Sequence, residues 1–248
     1  MALMTTNDII GLVLAYGLIV AALVVSLIVE KKCPNIDNRK VVHIGVGNFV
    51  FVWWMFTESW VMLAFFTVPF AIILFLAMFR GNAIGESKLG ELTRQGHNTG
   101  LFLYAITITV LVLFFFRDGW LSSIFPDAGR EHWLAASIAI MAMTYGDGFG
   151  SVVGKRFGKH KTINGKSLEG SIGVFAAATI MSFVVLGFYT FLCTNGYCTL
   201  DYETSISFWI LPPVVGLITA VTEMVCPGEY DNIFIPILTA LASVLMGL

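Results

Sequence analysis

The chain's chemistry-bearing residues fall in four short blocks. The densest is Tyr145-GDGFGSVVGKRFGKHKTINGKSLEG-Ser171, which holds one early acid, Asp147, a glycine every fourth residue, and five cations. Gly146, Gly150, Gly154 and Gly158 would form one stripe without side chains on a helix, along which a ligand or a second backbone can lie close. Lys155, Arg156, Lys159, Lys161 and Lys166 supply the charge that a polyphosphate needs. Mg²⁺ is commonly held by one or two carboxylates together with substrate phosphates. Asp147 suits that role, with Glu169 as a second carboxylate. The plainer reading of the glycines is helix packing, and that of the cations is membrane orientation.

The second block, Asn38-Arg39-Lys40-Val41-Val42-His43, places Arg39 and His43 four residues apart and Lys40 and His43 three apart. Both spacings share a helix face. Arg39 and Lys40 can contact phosphate, and His43 can orient or deprotonate a hydroxyl. Equally, the cations can anchor a helix to headgroups while His43 bonds a neighbouring helix. The third block, Gly81 to Gly100, is rich in glycine and polar residues and serves as a loop near the bilayer. The fourth, Thr222 to Asn232, holds Glu223, Glu229 and Asp231 with no Lys or Arg. Glu223, Asp231 and Asn232 are candidates for metal or hydroxyl contacts, against the alternative of a solvated acidic turn.

The elements that must position these blocks are hydrophobic. Of 248 residues 57% are hydrophobic and 12% charged, about half the usual share of charge in a soluble domain. The expected fold is an all-α, polytopic integral membrane helical bundle forming a single catalytic domain over residues 1–248. About eight spans are expected: Ile9–Val29, Val41–Phe56, Trp60–Phe79, Leu101–Phe116, Trp133–Tyr145, Ile172–Cys193, Ile206–Thr222 and Ile233–Leu248. Pro212-Pro213 should kink or break the seventh. The first span lacks the basic start and the cleavage site of a signal peptide.

Twelve of the 14 Lys and Arg residues fall in alternate loops, and only Arg117 and Arg130 fall opposite. That bias places the basic loops, and with them all four blocks, on the cytoplasmic side with both termini outside. The outer loop from Arg117 to Trp133 reads as amphipathic and lipid-lying. Cys33 and Cys226 read as free thiols, and Cys193 and Cys198 as a local disulfide or two thiols. A net charge of −2 names no partner. A Walker A loop and a protein-kinase signature set are both absent.

Taken together, the blocks resemble the dolichol kinase and phytol kinase family, which also includes CTP-dependent diacylglycerol kinases and is distantly similar to phosphatidate cytidylyltransferases. The carriers are Arg39-Lys40-x-x-His43, Gly146-Asp147-Gly148 with Gly154 and Gly158, Gly165-Lys166-Ser167-Leu168-Glu169-Gly170, and Glu223 followed by Asp231-Asn232 and Pro236. The resemblance runs from Arg39 to about Pro236. It implies transfer of the γ-phosphoryl group of CTP, with Mg²⁺, to a polyprenol-like alcohol. It implies Asp147, His43 and Asp231 as catalytic and Asp147, Glu169 and Glu223 as metal-holding. Arg39, Lys40, Gly146, Gly148, Gly150, Gly154, Lys155, Gly158, Lys166, Ser167 and Asn232 would contact nucleotide or phosphate. A lipid alcohol, a nucleotide and membrane lipid are the expected partners, and no nucleic acid is expected.

Two features depart from these patterns. The cytidylyltransferase signature, GHGG with paired aspartates, is absent between Glu223 and Leu248, which favours kinase chemistry. Gly150 stands where the family often has alanine. The rivals are a cytidylyltransferase, a diacylglycerol kinase, an ion-coupled transporter and a non-catalytic lipid-binding scaffold. A transporter would place His43, Asp147 and Glu223 near the bilayer midplane.

Overall fold

A computed structural model describes residues 3–33, 37–94, 99–116, 132–199 and 208–248. The expected outer loop from Arg117 lies almost entirely outside them. The described chain is helical, its only pairing outside helices being an isolated bridge between Lys161 and Ser167. It divides into two compact units, Met1–Val112 and Leu113–Leu248.

The N-terminal unit starts with α1 (Thr6–Lys32). Thr5 and Asp8 form a reciprocal cap at its start, which satisfies amide groups that a helix beginning leaves open. The Asp8 carboxylate also accepts from the Thr57 amide at 2.7 Å and the Thr57 hydroxyl at 2.8 Å, tying the helix start to a distant turn. Helix α2 (Asn38–Gly47) crosses α1 closely enough that a Cβ on Gly45 would meet the Ala22 Cβ at 2.4 Å. It passes into a 3₁₀ segment, Asn48–Met55, so the expected span Val41–Phe56 changes helix type midway.

Helix α3 (Ser59–Ala77) contains a π-turn at Leu63–Thr67, just before Pro69. Proline cannot donate to the carbonyl four residues earlier. That carbonyl belongs to Phe65, and it accepts from the Tyr16 hydroxyl of α1 instead. The short α4 (Lys88–Arg94) and then α5 (Gly100–Phe115) follow.

The C-terminal unit is built on α6 (Trp133–Phe157), whose residues from Trp133 to Thr144 are all buried. It packs against α7 (Leu168–Thr194), α8 (Leu211–Val225) and α9 (Asp231–Leu245). The expected fifth span, Trp133–Tyr145, thus runs twelve residues further, and the glycine motif continues the helix. Pro212 and Pro213 do not break α8. They sit in its first turn, where their missing N–H groups are not needed.

Among the described residues three helices are long and apolar enough to cross a membrane: α1, α3 and α7. α5, α8 and α9 are apolar but shorter. On all three long helices bulky apolar side chains face outward, such as Val13, Ile72 and Ile180, each more than half exposed. Such rows are costly in water and natural in lipid.

The glycines of α6 settle how the C-terminal unit closes. A Cβ on Gly146 would lie 3.1 Å from Thr219 and 3.2 Å from Val174, and one on Gly150 only 2.4 Å from Val174 Cγ2. Val174 is buried and β-branched, so it has little freedom to move aside. We therefore expect Gly150→Ala to destabilise the protein by about 1–3 kcal/mol. Gly187→Ala in α7 meets no atom within 4 Å and should be neutral or gain about 0.5–1 kcal/mol. Thermal melts of the two purified variants in one detergent check the contrast.

Candidate functional site

The site grows from the connection between α6 and α7. Gly158 closes α6, its amide donating to Gly154 O at 3.0 Å. The chain then doubles back, with Thr162 N on Lys166 O at 2.8 Å and Leu168 N on His160 O at 2.9 Å. Asn164 and Gly165 make the reversal in the left-handed region, at φ 59° and 76°. Asparagine and glycine tolerate that conformation better than other residues. Ser167 then caps α7, its hydroxyl accepting from Gly170 N at 3.2 Å.

This reversal delivers Lys166 to the far end of α8. Its ammonium lies 2.9 Å from Glu223 Oε1 and 3.4 Å from Asp231 Oδ2, and it also donates to the Glu223 backbone carbonyl. Asn164 Nδ2 donates to Val225 O at 2.7 Å. The last carbonyls of a helix have no partners within it and carry partial negative charge. Lys166 and Asn164 therefore cap α8 while Lys166 pairs two acids from separate elements. All three charged side chains are at most a fifth exposed. Burial acts to lower the Lys166 pKa, but its hydrogen bond to Glu223 and the Asp231 charge outweigh it and raise the value. Burial, helped by the charges of Asp231 and Glu223, also pushes the Cys226 thiol up.

Asp231 opens α9, where a negative charge suits the helix dipole, and its Oδ1 accepts from Asn232 N at 2.9 Å. Asn232 is buried; its Nδ2 reaches Glu229 O at 3.3 Å, while its Oδ1 has no hydrogen-bond partner among the described residues.

Other predicted residues take different places. Glu169 accepts from Lys159 N at 3.0 Å and from His160 N, and its Oε1 lies 2.6 Å from His160 Nδ1. It thus ties the exit of α6 to the start of α7. The stripe of Gly146, Gly150, Gly154 and Gly158 does not face an open groove. Gly154 and Gly158 lie against Ser167, and a Cβ on Gly170 would in turn lie 3.2 Å from Gly150 O. Gly148 is buried within α6, Asp147 is half-buried, and Lys155 is exposed in its last turn. Among the described residues no three His, Cys, Asp or Glu side chains form a metal-holding group.

Arg39, Lys40 and His43 belong to the N-terminal unit. The two cations stand half-buried in the first turn of α2, whose cap is Asp37, its Oδ1 accepting from Arg39 N at 3.0 Å. His43 is 4% exposed and stacks on Tyr104 of α5, ring centroids 3.9 Å apart; the Tyr104 hydroxyl donates to His43 O at 3.4 Å. Cys193 and Cys198 are thiols with their sulfurs 2.9 Å apart. Sequence reading passed over Asn164 and Tyr104. The Asn-Gly turn signal marks the first. Nothing local marks a tyrosine inside an apolar span.

The chain is similar to a probable chloroplastic phytol kinase of Triticum aestivum, 27% identical over 220 residues, which are 84% of this chain and 67% of that protein. The phytol kinase of Synechocystis is 29% identical over 215 residues, 84% of this chain and 78% of its own length. A chloroplastic farnesol kinase of Arabidopsis thaliana is 25% identical over 84% of this chain and 64% of its own length. These relatives, named phytol kinase and farnesol kinase, support a phytol/polyprenol kinase family for the chain. No family model and no solved structure matches it. The matched part covers 67%, 78% and 64% of the lengths of these three relatives.

Removing the Lys166 charge would leave two buried acids facing each other. Lys166→Met should therefore destabilise the protein toward the lower end of the about 3–5 kcal/mol seen when a buried ion pair is broken. Neutralising both acids as well, with Glu223→Gln and Asp231→Asn, should recover most of the loss. Because its pKa is raised on folding, the lysine's contribution is complete below about pH 10.4, the usual lysine value. It fades only as pH climbs through the higher folded value. Melting temperatures of the wild type and both variants across neutral and alkaline pH check this.

Proposed function

We propose that the protein transfers the γ-phosphoryl group of a nucleotide, CTP by family resemblance, to the hydroxyl of an isoprenoid alcohol at the cytoplasmic membrane face. The relatives named phytol kinase and farnesol kinase support the coarser reading, a polyprenol-type alcohol kinase. The observation that carries the finer one is the convergence of Lys166, Glu223 and Asp231 from three separate segments.

Phosphoryl transfer needs positioning and charge neutralisation more than covalent help. With Lys166 protonated, the three side chains carry one net negative charge. That charge suits a nucleotide bound with its divalent cation better than bare phosphates. Mg²⁺ would be held by Glu223 and Asp231, with Asp147 of the Gly146-Asp147-Gly148 motif toward the nucleotide, and would neutralise the triphosphate. Two carboxylates are enough when phosphates complete the shell.

Lys166 lies where it can exchange a carboxylate for a phosphate oxygen, and Asn232 offers its neighbouring amide. The alcohol oxygen forms a bond to the γ-phosphorus as the bridging bond to the β-phosphate breaks, giving a lipid monophosphate and a nucleoside diphosphate. The hydroxyl proton passes to Asp231.

Purified protein is incubated with phytol, geranylgeraniol, farnesol, dolichol or diacylglycerol and with CTP or ATP labelled at the α or γ position. The γ label should appear on an isoprenoid alcohol with CTP. Asp147→Asn and Asp231→Asn should each lower kcat by at least about 100-fold. An α label on the lipid would mean cytidylyl transfer, and label only on diacylglycerol would mean a glycerolipid kinase. Either result, or near-normal turnover of Asp147→Asn, overturns the reading.

A further inference from the structure

The N-terminal unit holds a cavity of about 230 Å³ between α1, α2, α3 and α5. Val46, Leu74, Leu101 and the stacked rings of His43 and Tyr104 line it, each nearly buried, with Tyr16 beside them. The Tyr16 and Tyr104 hydroxyls are both committed to backbone carbonyls, so the walls offer apolar surface. Such a space does not attract water. The pocket is partly open to the surface, so a hydrocarbon chain can enter and cover its apolar walls.

We propose that this cavity seats part of the isoprenoid chain of the substrate alcohol, while the hydroxyl remains outside it. The inference rests on the alcohol-kinase reading for the identity of the chain. A 150 Å³ apolar cavity takes a six-carbon ring, and scaling by volume gives about nine carbons here, roughly two isoprene units. The remainder of a longer chain lies in the bilayer. A seat that grips only the part of the chain inside it discriminates against alcohols too short to fill it.

The test uses a farnesol analogue carrying a diazirine near its hydrocarbon end, photolysed on the full-length protein in detergent, with the labelled peptides mapped. Labels should fall in α2 and α5, and phytol should displace them while five-carbon prenol does not. Leu101→Trp, which fills the space, should abolish that labelling and raise KM for phytol at least tenfold, leaving five-carbon prenol unaffected. Leu101→Ala, which enlarges it, should keep the labelling and serves if the larger side chain prevents folding. Labels confined to α6–α9, or equal displacement by five-carbon prenol, overturn the proposal. Phosphoryl transfer with labels elsewhere sinks this inference alone. Labels in the cavity without phosphoryl transfer sink the kinase reading alone.

Discussion

A half-buried cation between two acids governs the C-terminal unit. Lys166 holds Glu223 at the end of α8 and Asp231 at the start of α9, and its hydrogen bond to the Glu223 carbonyl closes the helix as well. Without it the turn from Cys226 to Tyr230 would bring two carboxylates and a set of open helix carbonyls to one place. With it, that place becomes compact and polar at the edge of apolar helices. Placing a lysine there requires the Asn164-Gly165 reversal, because only a tight turn returns the chain to α8 before α7 begins.

The reversal depends in turn on the seam between α6 and α7. Gly150, Gly154 and Gly170 let the two backbones come close, and Ser167 fills the notch beside Gly158 while it caps α7. Glu169 secures the exit of α6 through Lys159 and His160. The residues of the Gly165-to-Gly170 motif therefore divide their work. Glycine turns the chain, lysine reaches the acids, serine starts the helix and glutamate locks the loop. Structure and chemistry share one motif, so a variant here must be judged on stability as well as turnover.

Much of this was legible in the residues. The length and hydrophobicity of α1, α3 and α7 fixed them as membrane-length helices, and the four-residue glycine period announced a smooth helix face. What faces that stripe was not legible. A ligand and a second helix want the same absence of side chains, and the second helix is what lies there. The pairing of Lys166 with Glu223 and Asp231 spans 57 and 65 residues of chain, a separation over which local pattern carries no signal. Pro212-Pro213 misled because a proline pair reads as a break, whereas at a first turn it is a start. Among the described residues α1, α3 and α7 have full membrane length, and α5, α8 and α9 are apolar and shorter.

The central claim is that the Lys166 ammonium, held ready by two carboxylates, becomes a ligand of the nucleotide's phosphates. Calorimetric titration of magnesium–CTP into wild-type protein and into Lys166→Met, at a temperature where both are folded, measures this directly. The account predicts at least a tenfold weaker binding for the variant, with the heat of binding in the wild type reduced by high salt. Equal affinity in the two proteins would contradict it.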